Sequence, residues 1–250
     1  MNGEHLKLVS LNIERDKHLD RVFPFIKQED PDVVCIQELM SGDFEIFEKE
    51  LQMKGSFTPL TRRAINRDGE ESLEFFSIAL FTKLPIHGEI SSAYYAGNPG
   101  VVKDYEGTNA KTKSSTSSRM VVHATVCKGD DKFTVGTTHF TWTGDGKVDG
   151  QQRVDLERMF EILDNIPEIV LCGDFNAPRG GEIFNSLSER FTDYIPKHYT
   201  TSIDGNLHYA GDLKVMVDGL FSTPHYTARN TKLVCGVSDH CAVVSEILRV

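Results

Sequence analysis

Short apolar strands alternate with amphipathic helices along this chain, and that alternation constrains the fold more than any other feature. Residues 5–12 (HLKLVSLN) alternate between apolar and polar side chains, which predicts a strand. Residues 33–37 (VVCIQ) form a short, continuously apolar segment of the kind that a sheet buries on both faces. Residues 151–166 carry apolar side chains at helical spacing. This mixture predicts an α/β protein whose sheets are covered by helices.

The rest of the chain continues the same pattern. Residues 107–118 (GTNAKTKSSTSS) contain almost no apolar side chain, which predicts a flexible surface loop. The other predicted elements are helices at 19–26, interrupted by Pro24, and at 44–53, closed by Gly55; a pair of strands at 75–82 and 86–95 around Leu84-Pro85; a hairpin at 119–127 and 132–140; and strands at 168–172, 215–221 and 241–248.

Length and charge exclude several classes of protein. The 250 residues contain no apolar run approaching the roughly 20 residues that a membrane-spanning helix needs. The N-terminus has no charged segment followed by a long apolar core, so we expect neither a secretory signal nor a stable membrane anchor. With 27 Lys and Arg against 37 Asp and Glu, the net charge of −10 disfavours wrapping of long duplex DNA. It does not exclude a nucleic-acid enzyme, because bound cations cancel part of the charge of an acidic site.

The cysteines predict a reducing compartment. Cys35, Cys127, Cys172, Cys235 and Cys241 form no CxxC pair, and several lie within apolar runs. We expect all five to be buried as small apolar side chains, and the protein to be cytoplasmic. A zinc site built from cysteines is not expected.

Polar side chains that can carry chemistry recur where predicted strands end, and ligands gather at such ends because the side chains there point into a crevice. A carboxylate such as Glu38 can bind a hard cation such as Mg²⁺. The adjacent Asp239 and His240 can form a pair in which the carboxylate favours the charged imidazole. A charged imidazole stabilises negative charge on a phosphate oxygen. The whole set consists of Asn12, Glu38, His139, Asp174, Asn176, Asp218, Asp239 and His240.

Each of these motifs alone also has a purely structural interpretation. Residues 173–176 (GDFN) are typical of a turn, and residues 238–240 (SDH) fit a helix cap or a polar turn. Glu38 alone fits a solvated loop, His139 a structural histidine, and Asp218 a carboxylate that hydrogen-bonds nearby backbone. The recurrence of such residues at strand ends, rather than any single motif, favours a functional site.

Taken in order along the chain, these motifs resemble those of the endonuclease/exonuclease/phosphatase superfamily. That group includes pancreatic-type DNases, abasic-site endonucleases, tyrosyl-DNA phosphodiesterases, deadenylases, neutral sphingomyelinases and inositol-phosphate phosphatases. The resemblance runs from residue 8 to about residue 248, and the motifs in this order and spacing are specific to the group. They are LNI at 11–13, PDVVCIQE at 31–38, TTHF at 137–140, GDFN at 173–176, VDGL at 217–220 and SDH at 238–240.

The resemblance implies one catalytic domain over residues 1–250, folded as a four-layer α/β sandwich. Two mixed β-sheets would pack face to face, with helices outside. It also implies hydrolysis of phosphate esters with Mg²⁺ or Mn²⁺ as the cofactor. In the implied metal site, Glu38 is the metal ligand, Asn12 helps to hold the metal or its water, and Asp239 is a further ligand.

The same resemblance implies catalytic roles for the remaining residues. Asp174 would orient or deprotonate the attacking water, and Asn176 would hydrogen-bond the phosphate in the transition state. His240, paired with the carboxylate that precedes it, would contact the scissile phosphate, and Asp218 would support a site histidine. His139 would be a general acid or a phosphate contact. It argues against the abasic-site branch, which has a different residue there.

The expected substrate is DNA or RNA, and the negative charge of the chain favours short, flexible or single-stranded forms. Arg119, Trp142 and Arg179 are predicted to contact it, because Arg179 follows the Asp174 motif and Trp142 follows His139 closely. The basic residues between 61 and 67 and between 103 and 119 either contact phosphates or are a solvated surface.

Two alternatives remain beside a nuclease. One is a phosphatase or phosphodiesterase of small phosphate esters or phospholipid headgroups, similar to sphingomyelinases or inositol-phosphate phosphatases. The other is a binding module that has lost catalysis, which is disfavoured because Glu38, Asp174 and His240 are all present. We expect a monomer whose partner is the nucleic acid or other phosphodiester substrate.

Overall fold

The computed structural model describes residues 4–67, 69–97 and 99–250, which form twelve β-strands and five α-helices. The strands are β1 (His5–Asn12), β2 (Val33–Met40), β3 (Lys54–Arg67), β4 (Glu70–Thr82), β5 (Ser91–Ala96), β6 (Arg119–Lys128), β7 (Asp131–His139), β8 (Val170–Asp174), β9 (Thr192–Asp193), β10 (Asp218–Ser222), β11 (Tyr226–Val234) and β12 (Ala242–Arg249). The helices are α1 (Leu19–Glu29), α2 (Phe44–Leu51), α3 (Ala110–Ser115), α4 (Gly150–Leu163) and α5 (Glu182–Arg190).

The strands form two six-stranded sheets. The first has the order β11-β12-β1-β2-β4-β3, and the second has the order β5-β6-β7-β8-β10-β9. Each sheet is mixed, because β1 and β2 are parallel in the first and β7 and β8 are parallel in the second, while the other neighbours are antiparallel.

The two sheets pack face to face through a shared apolar core. Leu8 and Cys35 of the first sheet belong to the same buried cluster as Val135 and Val170 of the second. Helices α1 and α2 cover the outer face of the first sheet, and α4 and α5 cover that of the second. Strands β2 and β8 are buried almost throughout and begin with apolar residues, because a helical layer covers one face and the other sheet covers the opposite face. This arrangement confirms the predicted four-layer α/β sandwich.

Several local predictions were wrong, because long-range pairing decided the structure. The strands expected to pair around Leu84-Pro85 belong to different sheets: β4 pairs with β2 and β3, whereas β5 pairs with β6. Helix α2 ends at Leu51, and Gly55 lies in β3. A Cβ on Gly55 would lie 2.4 Å from the Phe81 ring, so this glycine serves sheet packing and not a helix end. Pro24 was expected either to start the helix or to kink it, and α1 begins five residues earlier, at Leu19, so Pro24 does not start it.

The segment 101–118, which crosses from β5 to β6, is more ordered than its composition predicts. It contains α3, and Asn109 caps that helix by accepting a hydrogen bond from the Thr112 backbone N–H. Ser118 donates its backbone N–H to the Leu60 carbonyl at 2.8 Å, and the Thr61 hydroxyl lies 2.8 Å from the Thr116 carbonyl oxygen. These bonds hold the segment on β3. Strands β3 and β11 and helix α5 were missed by the sequence analysis.

A disulfide joins Cys235 and Cys241. The prediction that all five cysteines are reduced is therefore wrong for this pair, whereas Cys35, Cys127 and Cys172 are free thiols. The prediction that all five are buried is also wrong, because Cys127 is half-buried and Cys235 is exposed. The disulfide closes a short loop that carries residues 238–240 (SDH). In the part of the chain that the structure describes, no helix has the length and apolarity to cross a membrane.

The ion pair between Asp43 and Arg67 generates a prediction about stability. The Asp43 side chain is 1% exposed and accepts two hydrogen bonds from the Arg67 guanidinium, at 2.8 and 2.9 Å. We expect Arg67→Met to lower the free energy of unfolding by about 3 kcal/mol, because it leaves a buried carboxylate without its partner. Urea denaturation measures this difference.

The matched control is Arg153→Met, which breaks an ion pair between Arg153 and Glu182 whose side chains are both about half exposed. It should cost less than about 1 kcal/mol, because exposed ion pairs contribute little. Equal losses in the two variants would contradict the assignment of Asp43 as a buried, partner-dependent charge.

Candidate active site

Strand direction brings most of the predicted site residues to one edge of the sandwich. Asn12 ends β1, His139 ends β7 and Asp174 ends β8, while Asp218 begins the antiparallel strand β10. His139 pairs in register with Asp174, and Asp174 with Asp218. A Cβ on Gly173 would lie 2.0 Å from the Thr138 carbonyl oxygen, so glycine is required there for β8 to approach β7 so closely. The ends of parallel strands therefore meet here, as expected of a ligand site.

Asp174 lies at the centre of this group, and its carboxylate is almost completely buried. Its Oδ2 accepts a hydrogen bond from Asn12 Nδ2 at 3.1 Å and lies 3.5 Å from His139 Nε2 and 3.9 Å from His240 Nε2. The backbone N–H of Asn176 donates to Oδ1 at 2.8 Å. Burial raises the pKa of Asp174 to about 7, although the charge of His240 opposes that rise.

His240 is held in its charged form by carboxylates. Its Nδ1 lies 2.7 Å from Asp218 Oδ2, which fixes the ring so that Nε2 faces Asp174. The predicted pairing of His240 with Asp239 is therefore wrong, and the Asp239 carboxylate instead accepts a hydrogen bond from the Ser238 hydroxyl at 3.1 Å. Burial lowers the pKa of His240, but the charges of Asp218 and Asp174 outweigh that effect and place this pKa well above its ordinary value. The site therefore contains a buried imidazolium, which can stabilise an anion.

His139 has the opposite character. Burial lowers its pKa well below the ordinary value for histidine, and the charges of Arg119, His240 and Arg63 add to the effect. Its Nδ1 is buried and has no hydrogen-bond partner among the described residues. Two imidazoles thus lie beside the same carboxylate, one neutral and one charged.

A second acidic group adjoins Asp174. Glu38 lies in a bulge of β2 with a φ of 67°, and its Oε1 accepts a hydrogen bond from Asn12 Nδ2 at 3.3 Å. Burial raises the pKa of Asp239 to about 6; the charge of His240 opposes that rise, and those of Glu14 and Glu38 add to it. These carboxylates repel one another, and a bound cation would relieve that repulsion.

The donor set fits a divalent metal ion, because hard cations prefer carboxylate and amide oxygens. Asp174, Asp218 and His240 also place ligand atoms within 4.8 Å of one another. A charged imidazole repels a cation, however, so we expect the metal on the side of Glu38 and Asp239, with the Asn12 amide beside it.

The predicted substrate contacts occupy three different settings. Trp142 lines a cavity of 450 Å³ together with Asn176 and His240. Arg119 is buried and donates to the His139 carbonyl at 3.0 Å, so it holds the end of β7. Arg179 pairs with Asp193 at 2.8 Å in a separate depression. Contact of these three residues with substrate stays a prediction.

Other residues near the site were not singled out from the sequence. Gln37 is buried between the sheets and donates its side-chain amide to the Thr137 hydroxyl at 3.0 Å. His208 lines the cavity beside His240. Arg63 stacks on Phe76, whose ring centroid lies 6.0 Å from that of His139. The signal for Arg63 was the basic run 61–67, and the signal for Gln37 was the motif PDVVCIQE at 31–38, whereas His208 carries no local pattern.

Comparisons with known proteins agree with this geometry. The model of the Endonuclease/Exonuclease/phosphatase family matches residues 9–240. A comparison with curated protein sequences finds no match. Among solved structures, an endonuclease/exonuclease/phosphatase from Bacteroides vulgatus has a TM-score of 0.74 at 17% identity, over 99% of this chain and 100% of that one.

Two further solved structures carry functional names. The human nocturnin catalytic domain, solved with bound sulfate, has a TM-score of 0.68 at 16% identity, over 98% of this chain and 95% of that one. A mannosyl-6-phosphatase from Bacteroides thetaiotaomicron has a TM-score of 0.66 at 14% identity, over 97% and 99% respectively. At these identities the likeness is one of fold.

The pairing of Asp218 with His240 gives a prediction about protonation. In Asp218→Asn the pKa of the His240 ring should fall by about 1 to 3 pH units, because an adjacent opposite charge is removed. The charged form would then be lost at lower pH than in the parent protein. NMR titration of the His240 ring without added metal measures the shift.

The matched control, Asp164→Asn, removes an exposed carboxylate just after α4 and should leave the His240 pKa unchanged. An unaltered pKa in Asp218→Asn would show that this carboxylate does not hold the charge.

Proposed function

Because the chain belongs to the endonuclease/exonuclease/phosphatase family, whose members are generally hydrolases of phosphate esters and depend on divalent metals, we propose that it is a metal-dependent phosphodiesterase. The substrate we propose is DNA or RNA, with Mg²⁺ or Mn²⁺ as the metal. The observation that carries the proposal is the buried Asp174 carboxylate, which lies between Asn12, a neutral His139 and a charged His240.

The charges of the site suit an anionic substrate. A phosphodiester repels hydroxide, so its hydrolysis requires positive charge and hydrogen-bond donors near the non-bridging oxygens. The His240 imidazolium supplies the charge, and Asn176, on the rim of the same cavity, supplies an amide. A divalent metal bound near Glu38 and Asp239 would add Lewis-acid stabilisation of a phosphate oxygen.

Asp174 suits the role of general base. A base works best when its pKa lies near the operating pH, and burial brings the pKa of Asp174 to about 7. The hydrogen bonds from Asn12 and the Asn176 backbone orient the carboxylate toward the site. His139, 3.5 Å away, leaves this proton on Asp174, because burial lowers the pKa of His139 well below its ordinary value.

The cavity beside His240 supports a nucleotide substrate. Trp142 and Tyr209 line it with apolar side chains such as Leu213, and aromatic rings stack on nucleobases. Its volume of 450 Å³ also suits one sugar or one small headgroup. A phosphatase or phosphodiesterase of small phosphate esters is therefore the second candidate, and the mannosyl-6-phosphatase of similar fold makes sugar phosphates the first of these to test.

The expected cellular setting is also a proposal. A cytoplasmic location follows from the sequence analysis, but the Cys235–Cys241 disulfide weighs against it because disulfides persist mainly in oxidising compartments. We propose a monomer whose partner is its phosphodiester substrate.

The test is hydrolysis by the purified protein of end-labelled single-stranded, duplex and abasic oligonucleotides, beside mannose 6-phosphate and inositol phosphates, with Mg²⁺ or Mn²⁺. We expect oligonucleotide cleavage that a chelator abolishes and that Asp174→Asn lowers by at least about 10²-fold, because the base is lost. Glu182→Gln, an exposed carboxylate at the start of α5, should retain parental activity.

The pattern of cleavage separates the candidates. A fragment ladder distinguishes internal cleavage from trimming at an end. Intact oligonucleotides together with cleaved sugar or inositol phosphates would replace the nuclease proposal with the second candidate. Hydrolysis of none of these esters by a folded protein that binds Mn²⁺ would contradict both.

A further inference from the structure

Three arginines lie close together on β3, and one of them differs from the others in its partners. Arg62 forms an ion pair with Asp104 at 2.7 Å, and Arg67 forms ion pairs with Asp43 and Glu74. Arg63 makes no ion pair with any carboxylate in residues 4–67, 69–97 and 99–250. A half-buried guanidinium therefore keeps its charge without a counter-charge.

Two aromatic rings hold Arg63 in place. Its Cζ lies 4.2 Å from the centroid of the Phe76 ring on β4 and 3.9 Å from that of Tyr105 in segment 101–118. The two ring faces attract the guanidinium charge, but they provide no hydrogen-bond acceptors for its N–H groups. Arg63 Nε is buried and has no acceptor among the described residues. Guanidinium has a planar fork of donors that suits phosphate oxygens, so this geometry is prepared for an anion.

Arg63 adjoins the candidate active site through Phe76. The Phe76 ring lies beside the His139 ring, and His139 Nε2 lies 3.5 Å from Asp174. The charge of Arg63 contributes, after burial, to the lowered pKa of both His139 and Arg119, which shows that it reaches the site electrostatically. A chain of contacts thus leads from Asp174 to Arg63, which places Arg63 beyond the residues that surround the reacting phosphate.

We infer that Arg63 binds a second phosphate of the substrate, adjacent to the scissile one, and so selects substrates that carry consecutive phosphates. This inference rests on the proposed function, because it assigns a phosphate-binding role to a residue next to the same site. It predicts that a nucleic-acid strand is preferred over an isolated diester. Tyr105 is then a positioning residue, since the guanidinium lies between its ring and that of Phe76.

The experiment compares two substrates that differ only in flanking phosphates: the thymidine dinucleotide TpT and its doubly end-phosphorylated form pTpTp. We expect Arg63→Gln to lower kcat/KM for pTpTp by about 10- to 100-fold, mainly through KM, because one charged hydrogen-bonding group is lost. The value for TpT should fall clearly less than the value for pTpTp, because Arg63 acts on TpT only through its charge near His139. Arg63→Lys should retain part of the preference, because it keeps the charge but loses the fork.

Arg62→Gln is the matched control, because it removes the same charge from the adjacent residue, whose guanidinium is already paired. It should leave kcat/KM for both substrates unchanged. Equal losses for TpT and pTpTp in Arg63→Gln would overturn the inference, because Arg63 would then act on the scissile phosphate or on the fold. No loss for either substrate would overturn it as well.

Binding separates this inference from the proposed function. Calorimetry with Asp174→Asn measures the affinities for TpT and pTpTp without turnover. Tighter binding of pTpTp that Arg63→Gln abolishes and Arg62→Gln preserves would support the phosphate site even if neither dinucleotide is hydrolysed. Hydrolysis of TpT with no preference for pTpTp, in turnover or in binding, would support the proposed phosphodiesterase activity but refute the role of Arg63.

Discussion

The buried carboxylate of Asp174 is the constraint on which the rest of the site depends. A buried carboxylate is costly unless donors and positive charge surround it, and here Asn12, the Asn176 backbone and His240 meet that need. The donors come from both sheets, because Asn12 ends β1 in the first while Asp174 ends β8 in the second. The apolar core between the sheets therefore sets the distances on which the polar site depends.

The same burial gives the two imidazoles different states. His240 is paired with Asp218 and is charged. His139 is neutral, because it is buried near Arg119 and its Nδ1 has no hydrogen-bond partner among the described residues. Pairs of titratable groups whose environments push their pKa values apart are typical of acid–base sites. The group formed by Glu38 and Asp239 adds negative charge that a divalent cation would offset. The site thus combines a charged imidazole, a carboxyl group with a pKa of about 7 and a pair of acidic residues that could hold a cation, and this combination suits the phosphodiester hydrolysis that we propose.

Much of the site was predictable from sequence because its residues follow short local patterns. Strands β1, β2, β7 and β8 are apolar segments that end in polar residues, and the order of those endings specified the family and the sandwich. What the sequence could not supply was pairing between distant segments. Strand β3 was not predicted because its side chains are only partly buried. The Cys235–Cys241 disulfide was not predicted because its formation depends on how the loop closes. The sequence left open whether Arg63 contacts phosphate or is solvated, because its neighbours Phe76 and Tyr105 are distant in sequence.

In the reaction that we propose, water activated beside Asp174 attacks a phosphodiester. Hydrolysis of TpT with Mg²⁺ in water enriched in ¹⁸O, followed by mass spectrometry of the products, tests this step directly. We expect one ¹⁸O atom in the phosphate of the released nucleotide, and a rate that falls by at least about 10²-fold in Asp174→Asn. Phosphate without ¹⁸O, or an unchanged rate in Asp174→Asn, would contradict it.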